Sequence, residues 1–250
     1  MIPRVTILIL NWNGGPDTVT CLDSLKELRY PNFHVIVLDN ASSDNSWELF
    51  AKYPKPNYPL EFIQTGSNLG FGGGNNVGLR KALAEGTDYV WLLNNDSAVT
   101  PEALHALIAA AESNPTIGIA GPLALTMETP ARVWFAGGTF NWLKTRGTHR
   151  CYGELADDRR AHAPADSAPI DVDYVTGGIM LIKRAVFDDI GLLPGDYFLY
   201  YEDADFNTRA AKQSWRRILV PQAVVYHKGS ASAKAGSPNY QYYHLRNGLM

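Results

Sequence analysis

Short apolar runs alternate with amphipathic stretches along residues 1–120 of the chain. Four of the runs are predicted strands, and the first of them is continuously β-prone, which is typical of a strand buried in a parallel sheet. In chain order these runs are VTILIL, FHVIVLDN, LEFIQT and DYVWLLNND. A stretch with helical spacing follows each run. This alternation predicts a doubly wound α/β fold with a mostly parallel central sheet.

Signals for the start of a helix come before two of the helical stretches. Ser43 has the character of an N-cap, and Thr100 is an expected N-cap with Pro101 in the first turn. The third helical stretch follows the glycine-rich segment GSNLGFGGGNN. That segment does not match G-x-G-x-x-G at the first strand–helix turn. It indicates a close approach of the backbone to a ligand or to a neighbouring helix.

The pattern becomes irregular in the second half of the chain. Residues 126–172 hold scattered aromatic side chains and the polar stretch ADDRRAHAPADSAP, so we expect a long mobile loop at about 144–169. Strand character returns in DVDYVTGGIMLIKR. Near the end, RILVPQAVVYHKG predicts a further pair of strands.

The end of the chain, YYHLRNGLM, has the pattern of a helix. Tyr242, Leu245 and Leu249 recur at i, i+3 and i+7 and would form one apolar face. No Gly or Pro follows as a stop signal. We therefore expect either that the chain is a truncation of a longer one, or that this face packs against a second copy, so a homo-oligomer stays open.

Composition narrows the classes of function. The chain has 250 residues, of which 46% are hydrophobic and 19% charged, and its net charge is −3. This profile is that of an ordinary soluble protein, and it argues against nucleic acid as a partner. Cys21 and Cys151 fit neither a disulfide framework nor a zinc cluster, so we expect a cytoplasmic location. No apolar run could span a bilayer, which leaves peripheral contact with the inner face of the membrane open.

Polar residues end two of the predicted strands. Asp39 and Asn40 follow the second strand, and Asn94, Asn95 and Asp96 follow the fourth. Ligands of open α/β sheets bind beyond the carboxyl ends of the strands. Both groups are therefore expected to face one crevice. Caps and turns are the ordinary use of Asn and Asp, and for each residue alone that alternative stays open.

Seven segments of the chain carry a resemblance to a known family. They are VTILILNWNG, VIVLDNASSDNS, NLGFGGGNNVGL, WLLNNDS, VTGGIMLIKRAVF, YFLYYEDADFNTRA and VPQAVVYHKGSAS. In this order they resemble the inverting glycosyltransferases of family 2, which have the fold called GT-A. The closest subgroup is the rhamnosyltransferase type of bacterial cell-surface polysaccharide synthesis. The resemblance runs from Val5 to about Gly248 and is weakest over 126–172.

The resemblance implies one GT-A catalytic domain over residues 1–250. This fold has a Rossmann-like central sheet, a small additional sheet and a C-terminal helix. Residues 1–120 would form the half that binds the nucleotide sugar, and residues 121–250 the half on the acceptor side. In the first half, Asp39 resembles the acid that contacts the nucleoside base, and Asn11 and Asn68 lie where the family touches the nucleoside.

The same resemblance implies a divalent metal ion. The metal-binding D-x-D triplet of the family reads Asn94-Asn95-Asp96 here, so its first acid is replaced by an amide. Asp96 keeps the last acid, Asn95 joins the donor contacts, and His227 matches a histidine that completes the metal site in some members. Mg²⁺ prefers oxygen ligands and imidazole favours Mn²⁺, so either ion is expected. A strand-end histidine bonded to the backbone is the alternative for His227.

Three acids crowd into the segment YYEDADFNTR. Asp203 matches the catalytic base of the family. Phe206 and Ala210, at i+3 and i+7, predict a helix whose first turn presents Asp203 to the crevice. Glu202 is expected either to hold a hydroxyl of the acceptor or to orient the loop. Asp205 is expected to complement the helix dipole.

The implied reaction is a direct displacement that inverts the anomeric carbon of the donor sugar. No local motif suggests a Ser or Cys nucleophile paired with a His, which agrees with direct displacement. The resemblance favours dTDP-rhamnose or a UDP-sugar as donor, and a saccharide or lipid-linked acceptor. Trp134, Trp142 and Tyr152 are candidates for stacking on acceptor sugars, although core packing is the commoner use of such side chains.

Two other functions stay open at this point. A sugar-nucleotidyltransferase also uses an α/β sheet and a metal, but the first strand–helix loop, NWNGGPDTV, has no Lys or Arg to hold a triphosphate. A non-catalytic carbohydrate-binding homologue would be marked by loss of both Asp96 and Asp203, and both are present.

Overall fold

The computed structural model describes residues 1–141, 146–157, 167–229 and 236–250. The strands of these residues are β1 Val5–Asn11, β2 Phe33–Asp39, β3 Leu60–Gln64, β4 Tyr89–Asn94, β5 Ser97–Val99, β6 Ile117–Thr126, β7 Val133–Phe135, β8 Gly138–Asn141, β9 Arg146–His149, β10 Ile170–Asp171, β11 Leu181–Lys183 and β12 Arg216–His227. The helices are α1 Gly15–Leu25, α2 Ser46–Ala51, α3 Gly70–Ala84, α4 Ala103–Glu112, α5 Arg184–Ile190, α6 Glu202–Lys212 and α7 Pro238–Gly248.

A central sheet of ten described strands carries the fold. Its path is β10-β12-β6-β11-β4-β1-β2-β3, with β5 beside β12 and β7 beside β6. Strands β3, β2, β1 and β4 are parallel neighbours, as are β6 and β12, while β11 runs antiparallel between β4 and β6. Strands β8 and β9 form a second, two-stranded sheet. The predicted mixed α/β fold, with its mostly parallel sheet, small second sheet and C-terminal helix, is confirmed.

The glycine-rich segment is part of helix α3 and brings that helix close to the sheet. A Cβ on Gly78 would lie 2.8 Å from Leu38 and 2.9 Å from Leu8, atoms of β2 and β1. Side chains at this position would push the helix away from both strands. Within the glycine-rich segment itself, a Cβ on Gly74 would lie 2.7 Å from Leu10 of β1, and a Cβ on Gly72 would lie 2.5 Å from the Pro194 carbonyl. The close approach expected from the sequence is therefore made to a strand and to the chain before α6, and an approach to a ligand stays a prediction.

The expected helix caps are not formed by the hydroxyls of Ser43 and Thr100. Helix α2 begins at Ser46, and the Ser43 N–H donates to Asn13 Oδ1 at 2.7 Å, which holds the preceding loop against the one after β1. Helix α4 begins at Ala103, and Thr100 Oγ1 donates to the Val224 carbonyl of β12 at 2.9 Å. In both cases a tertiary hydrogen bond takes the place of the local one.

One expectation for the second half of the chain is wrong, and a second falls partly on regular structure. The segment RILVPQAVVYHKG forms one long strand, β12, with a register shift between Val220 and Val224 instead of a turn. Pro221 lies within this shift, where its missing N–H leaves no ladder hydrogen bond unmade. The mobile loop expected at about 144–169 contains β9, which pairs with β8, and a described turn up to residue 157. Residues 144–145 and 158–166 of that loop lie outside the described residues.

The C-terminal helix α7 exposes the apolar face expected from its spacing. Tyr242, Leu245 and Leu249 are 60%, 71% and 82% exposed. What covers this face, a longer chain or a second copy, stays a prediction. Across the described ranges, no helix combines the length and hydropathy needed to cross a membrane.

Candidate functional site

The carboxyl ends of β1, β2 and β4 meet at one edge of the sheet, and their polar residues meet there too. Asn11 stands opposite Asp39 in the β1–β2 register, and Leu10 stands opposite Asn94 in the β1–β4 register. The buried amide of Asn11 donates to Asp39 Oδ1 at 2.9 Å and accepts from Thr18 Oγ1 at 2.9 Å. The two groups of strand-end residues thus face one crevice.

Asp39 is held from two sides at the end of β2. Its carboxylate accepts from Asn11 Nδ2 and, at 2.6 Å, from Ser42 Oγ. The chain between them turns through Ala41, whose φ of 59° lies in the left-handed region. This turn folds the loop back over the carboxylate, so Asp39 is fixed and only 1% exposed before any ligand binds.

Asn68 lies in a hydrogen-bonded network organised by Asn40. Asn40 Nδ2 donates to Asn68 Oδ1 at 3.0 Å, and Asn40 Oδ1 accepts from the Leu69 N–H at 3.0 Å. The Gly70 N–H also donates to Asn68 Oδ1 at 3.0 Å. Asn40 therefore holds the segment before α3 beside the end of β2. Sequence reasoning placed Asn40 at the crevice without recognising this role.

Asn95 links the two sides of the crevice. Its side-chain amide donates to Asn11 Oδ1 at 3.2 Å and to Thr18 Oγ1 at 3.1 Å. These contacts tie the turn after β4 to the start of α1. Asn95 is thus brought together with Asn11, as expected of donor contacts, while its direct contact with a nucleotide stays a prediction.

Asp96 and His227 form the candidate metal centre. Strand β5 pairs with β12 so that Ser97, next to Asp96, stands opposite His227, and the Asp96 Oδ1 to His227 Nε2 distance is 3.1 Å. Two neighbouring ligand atoms, each about 2.1 Å from an octahedral ion, are about 3.0 Å apart. The distance between these two atoms is therefore that of two neighbouring ligands of one divalent ion. Among the described residues no group of three His, Cys, Asp or Glu could hold a metal, so the other positions would fall to phosphate and water.

The imidazole of His227 is fixed by contacts on several sides. The Gly229 N–H donates to Nδ1 at 3.1 Å, and Asn94 Nδ2 lies 3.2 Å from Nε2. The indole of Trp134 stacks on the ring, with 4.0 Å between centroids and 24° between planes. Backbone bonding, the alternative considered for His227, is therefore present on Nδ1, and Nε2 still faces Asp96. One face of Trp134 is used in this stack.

Lys228 is a further charged residue at the candidate metal centre. Its ammonium lies 2.7 Å from Asp17 Oδ1, and this hydrogen bond raises the pKa of Lys228 above its ordinary value. A cavity of about 240 Å³ lies between these side chains and is lined by Asp17, Thr20, Asp96, Ser97, Met127 and Lys228. The position of Lys228 directly after His227 in the sequence was the signal that could have identified it.

Asp203 is the second residue of α6 and faces the turn Gly177–Ile179. Asp203 Oδ2 accepts from the Gly177 N–H at 3.0 Å, and Oδ1 accepts from the Ala204 N–H at 2.8 Å. Asn207, one turn later, bonds to both the N–H and the carbonyl of Val175 at 3.0 Å. The helix is thus locked to the segment that precedes the turn, and the carboxylate of Asp203 is oriented.

The turn Gly177–Ile179 connects the candidate metal centre to Asp203. A Cβ on Gly178 would lie 2.4 Å from Asn94 Nδ2, the amide that also contacts His227. Gly177, the preceding residue, donates its N–H to Asp203 Oδ2. Only a residue without a side chain lets Asn94 approach this closely, so neighbouring residues of one short turn contact Asn94, the partner of His227, and Asp203.

Glu202 lies inside the wall of the crevice and is only 6% exposed. Its Oε2 has no hydrogen-bond partner. Burial, and next the charge of Asp203, raises the pKa of Glu202 to about 8. This position does not support direct contact with an acceptor hydroxyl, because the carboxyl is covered by protein. Its other expected role, orientation of the loop, stays a prediction.

Removing the charge of Glu202 is expected to change how stability depends on pH. The folded pKa of about 8 lies above the ordinary 4.5, so folding favours the protonated form. The stabilisation is present below about pH 4.5 and is lost as the pH rises towards about 8. Glu202→Gln should therefore flatten the fall of the melting temperature between these values. Thermal melts of the variant measure this, with exposed Glu102→Gln as the control; a slope like that of the wild type in both variants would contradict it.

Asp205 has the structural position expected for it. It lies in the first turn of α6 and pairs with Arg209 at 2.9 Å, one helical turn later. Arg209 also donates to the carbonyl of Ile190 at 2.6 Å, which joins α6 to the end of α5. The three acids of the segment thus occupy three environments: one is buried, one faces the turn, and one is paired on the surface.

The aromatic candidates on the acceptor side are only partly brought together. Trp134 lies at the crevice, Tyr152 is 68% exposed, and Trp142 lies outside the described residues. His149, which sequence reasoning missed, bonds through Nδ1 to the Trp134 carbonyl at 2.9 Å. Burial lowers the pKa of His149 below its ordinary value. Its position on β9, within the expected loop, left no pattern to identify it.

Comparisons with known proteins agree with this geometry. The family model described as Glycosyl transferase family 2 matches residues 6–191. An N-acetylglucosaminyl-diphospho-decaprenol L-rhamnosyltransferase of Mycobacterium tuberculosis is 25% identical over 252 residues, covering 94% of this chain and 79% of that protein. The dTDP-rhamnosyl transferase RfbF of Shigella flexneri is 21% identical over 258 residues, covering 100% and 80%.

Solved structures are similar in fold. GalNAc-T7 with UDP, GalNAc and Mn²⁺ superposes with a TM-score of 0.75 at 15% identity over 98% of this chain and 47% of its own. Mannosyltransferase PcManGT of Pyrobaculum calidifontis, in complex with GDP-Man and Mn²⁺, gives a TM-score of 0.67 at 19% identity over 100% and 65%. The chain spans less than two thirds of each of these structures. The likeness shows the fold, which is GT-A as expected.

Proposed function

Because the chain belongs to glycosyltransferase family 2, we propose that it transfers a sugar from a nucleoside diphosphate donor to a saccharide or lipid-linked acceptor with inversion. The observation that carries the proposal is the turn Gly177–Ile179: on a first side Gly178 meets Asn94, which contacts His227, and on a second side Gly177 donates to Asp203. A donor diphosphate on the first side and an acceptor hydroxyl on the second would place the anomeric carbon between them. The reaction would serve cell-surface polysaccharide synthesis.

The nucleoside would bind over the ends of β1 and β2. Asp39 and Asn11 form a rigid polar floor there, and Asn68 stands at its edge on the network of Asn40. Because these hydrogen-bonding groups are already fixed, little conformational entropy would be lost when they bind a base. Asn95 ties this floor to the turn that carries Asp96.

Asp96 Oδ1 and His227 Nε2 are the atoms that would hold a divalent ion. When bound, Mg²⁺ or Mn²⁺ stabilises the negative charge that develops on a departing diphosphate. His227 favours Mn²⁺, since imidazole suits softer ions. Lys228, 2.7 Å from Asp17 and lining the adjoining cavity, supplies a positive charge on the same side.

Asp203 would take the proton of the acceptor hydroxyl. Each carboxylate oxygen already accepts one backbone N–H, and each keeps a second lone-pair site. As the acceptor oxygen bonds to the anomeric carbon, the bond from that carbon to the diphosphate breaks and the hydroxyl proton passes to Asp203. One such displacement inverts the carbon, and the diphosphate leaves with the bonding electrons.

The favoured donor is dTDP-rhamnose, followed by a UDP-sugar. Its support is that two relatives are named as rhamnosyltransferases, one of them for dTDP-rhamnose. In a thermal-shift screen of nucleotide sugars with Mn²⁺, thymidine- and uridine-linked donors should raise the melting temperature by about 5–10 °C at 100 times their Kd. The same donors without metal serve as the control. Stabilisation by guanosine-linked donors alone would overturn this choice.

An acceptor on a lipid carrier would bring the enzyme to a membrane surface. The support is the name of the mycobacterial relative, which contains N-acetylglucosaminyl-diphospho-decaprenol, a sugar on a lipid carrier. We place the reaction on the cytoplasmic side, where nucleotide sugars and the expected reducing environment of Cys21 and Cys151 coincide. Both cysteines are free in the structure.

A further inference from the structure

The segment that leads into α6 has an unusual backbone. Phe198, Tyr200 and Tyr201 have φ values of 63°, 67° and 74°. Residues with a Cβ are disfavoured in this left-handed region, and aromatic side chains gain no local hydrogen bond there in compensation. Three such residues within 198–201 keep this conformation only if the surrounding structure holds them. The residue that follows is Glu202, and the next is Asp203.

Asn247 of α7 is the main contact that holds this segment. Its Nδ2 lies 3.0, 2.7 and 2.9 Å from the carbonyl oxygens of Tyr197, Leu199 and Tyr200. Within α7, all of whose residues are described, Asn247 is the one buried residue. A helix that docked only for burial would place an apolar side chain at this point. Here the contact is an amide, whose hydrogen bonds fix direction as well as distance.

Further contacts support the hold of α7. Arg246 Nη2 donates to the Asp196 carbonyl at 2.8 Å. The rings of the left-handed residues also stack on the helix, since Phe198 lies on Tyr243 with 5.3 Å between centroids and Tyr200 lies on His244 with 4.4 Å. We name residues 196–201 the entry segment; one side of it is covered by α7.

The other side of the entry segment contacts α3. The Phe71 N–H donates to the Phe198 carbonyl at 2.7 Å. Phe71 follows Gly70, which bonds to Asn68. The entry segment therefore lies between the start of α3 and the inner face of α7, and its last residue, Tyr201, occupies the N-cap position of α6.

We propose that Asn247 is a positioning residue for the transfer step, acting through the entry segment on Asp203. Its amide contacts three carbonyl oxygens of the strained backbone, so that α6 begins where Asp203 can meet the Gly177 N–H and the acceptor hydroxyl. The catalytic half of this inference rests on the proposed function. The structural half, that Asn247 holds the entry segment, is independent of the proposed function.

The variant Asn247→Leu tests the catalytic half, because leucine is similar in size and donates no hydrogen bond. We expect kcat to fall between about tenfold and 100-fold, since a misplacement of about 1 Å can cost that much. The Kd for the nucleoside diphosphate with Mn²⁺ should stay within about twofold of the wild type. The matched control is Leu245→Ala, an exposed residue on the same helix, which should keep its kcat on a soluble acceptor.

Hydrogen–deuterium exchange of residues 196–205 tests the structural half without using activity. Exchange there should be faster in Asn247→Leu and unchanged in Leu245→Ala. If Asn247→Leu does not fold, Arg246→Ala removes the neighbouring bond to Asp196 and should change exchange and kcat in the same direction by a smaller factor. A wild-type protein without transfer activity would count against the proposed function. Hydrogen–deuterium exchange would still show whether Asn247 holds the entry segment.

Three results would overturn the inference. The first is a folded Asn247→Leu with kcat within about twofold of the wild type. The second is a loss of kcat that is matched by an equal loss of nucleotide affinity, which would indicate general damage. The third is a loss of kcat with unchanged exchange over residues 196–205, because the effect would then not pass through the entry segment.

Discussion

Asp203→Asn is expected to leave the protein folded and able to bind the donor while turnover falls by a factor between about 10² and 10⁴. Asparagine has the shape of aspartate, and its oxygen can still accept the Gly177 N–H that the carboxylate accepts at 3.0 Å. The amide cannot take a proton from an acceptor hydroxyl. The measurement is kcat of the purified variant, together with calorimetry of nucleoside diphosphate binding in Mn²⁺.

The matched control is Asp205→Asn, the same change two residues further along α6. Asp205 pairs with Arg209 and has no contact with the turn Gly177–Ile179 among its described hydrogen bonds. Its kcat should stay within about threefold of the wild type. Near-normal turnover in Asp203→Asn would remove Asp203 from the mechanism, and an equal loss in both variants would point to damage of the helix instead.

Asp96→Ala is expected to abolish the metal-dependent part of nucleoside diphosphate binding. Asp96 Oδ1 is 3.1 Å from His227 Nε2, and these two atoms are the ligands that the protein would supply at the candidate metal centre. With one of the two removed, an ion that depends on a phosphate and a single imidazole is held weakly. Calorimetry with and without Mn²⁺ should therefore give the same low affinity in Asp96→Ala. His227→Ala should weaken the affinity less.

Asp188→Ala provides the comparison for Asp96→Ala. This carboxylate is exposed on α5, where it lies 3.9 Å from Arg184. Its variant should bind nucleoside diphosphate as the wild type does and keep the difference between the two conditions. Wild-type affinity of Asp96→Ala in Mn²⁺ would mean that the metal binds elsewhere, or that nucleotide binding needs none.

The apolar runs were enough to predict the strands that carry the nucleotide half of the site. FHVIVLDN and DYVWLLNND end in polar residues, and parallel strands bring those ends together, so the shared crevice of Asp39 and Asn94 followed from the pattern, whereas the place of Asn11 was implied by the family resemblance. The stack of Trp134 on His227 did not, because it joins β7 to β12, which are separated by about ninety residues and have no shared periodicity.

Glu202 and Asn247 show why the rest was out of reach of the sequence. The burial of Glu202 depends on the left-handed turn at Tyr201, a conformation that propensity argues against for an aromatic residue. Asn247 was placed in a predicted helix, but its three carbonyl partners lie on a segment without regular structure. In both cases tertiary contacts override the local backbone preference, and no periodicity in the sequence indicates those contacts.

Strand β11 makes the sheet continuous between the two halves of the chain. Its residues Leu181–Lys183 bond to β4 on one side, and Leu181 and Ile182 bond to β6 on the other. A hinge between a donor lobe and an acceptor lobe would have to break this ladder, whose buried hydrogen bonds are costly to leave unmade. In the proposed reaction the two substrates would therefore approach one continuous sheet. Any closure over them is left to the connecting segments at the carboxyl edge of the sheet, rather than to a movement of one lobe against the other.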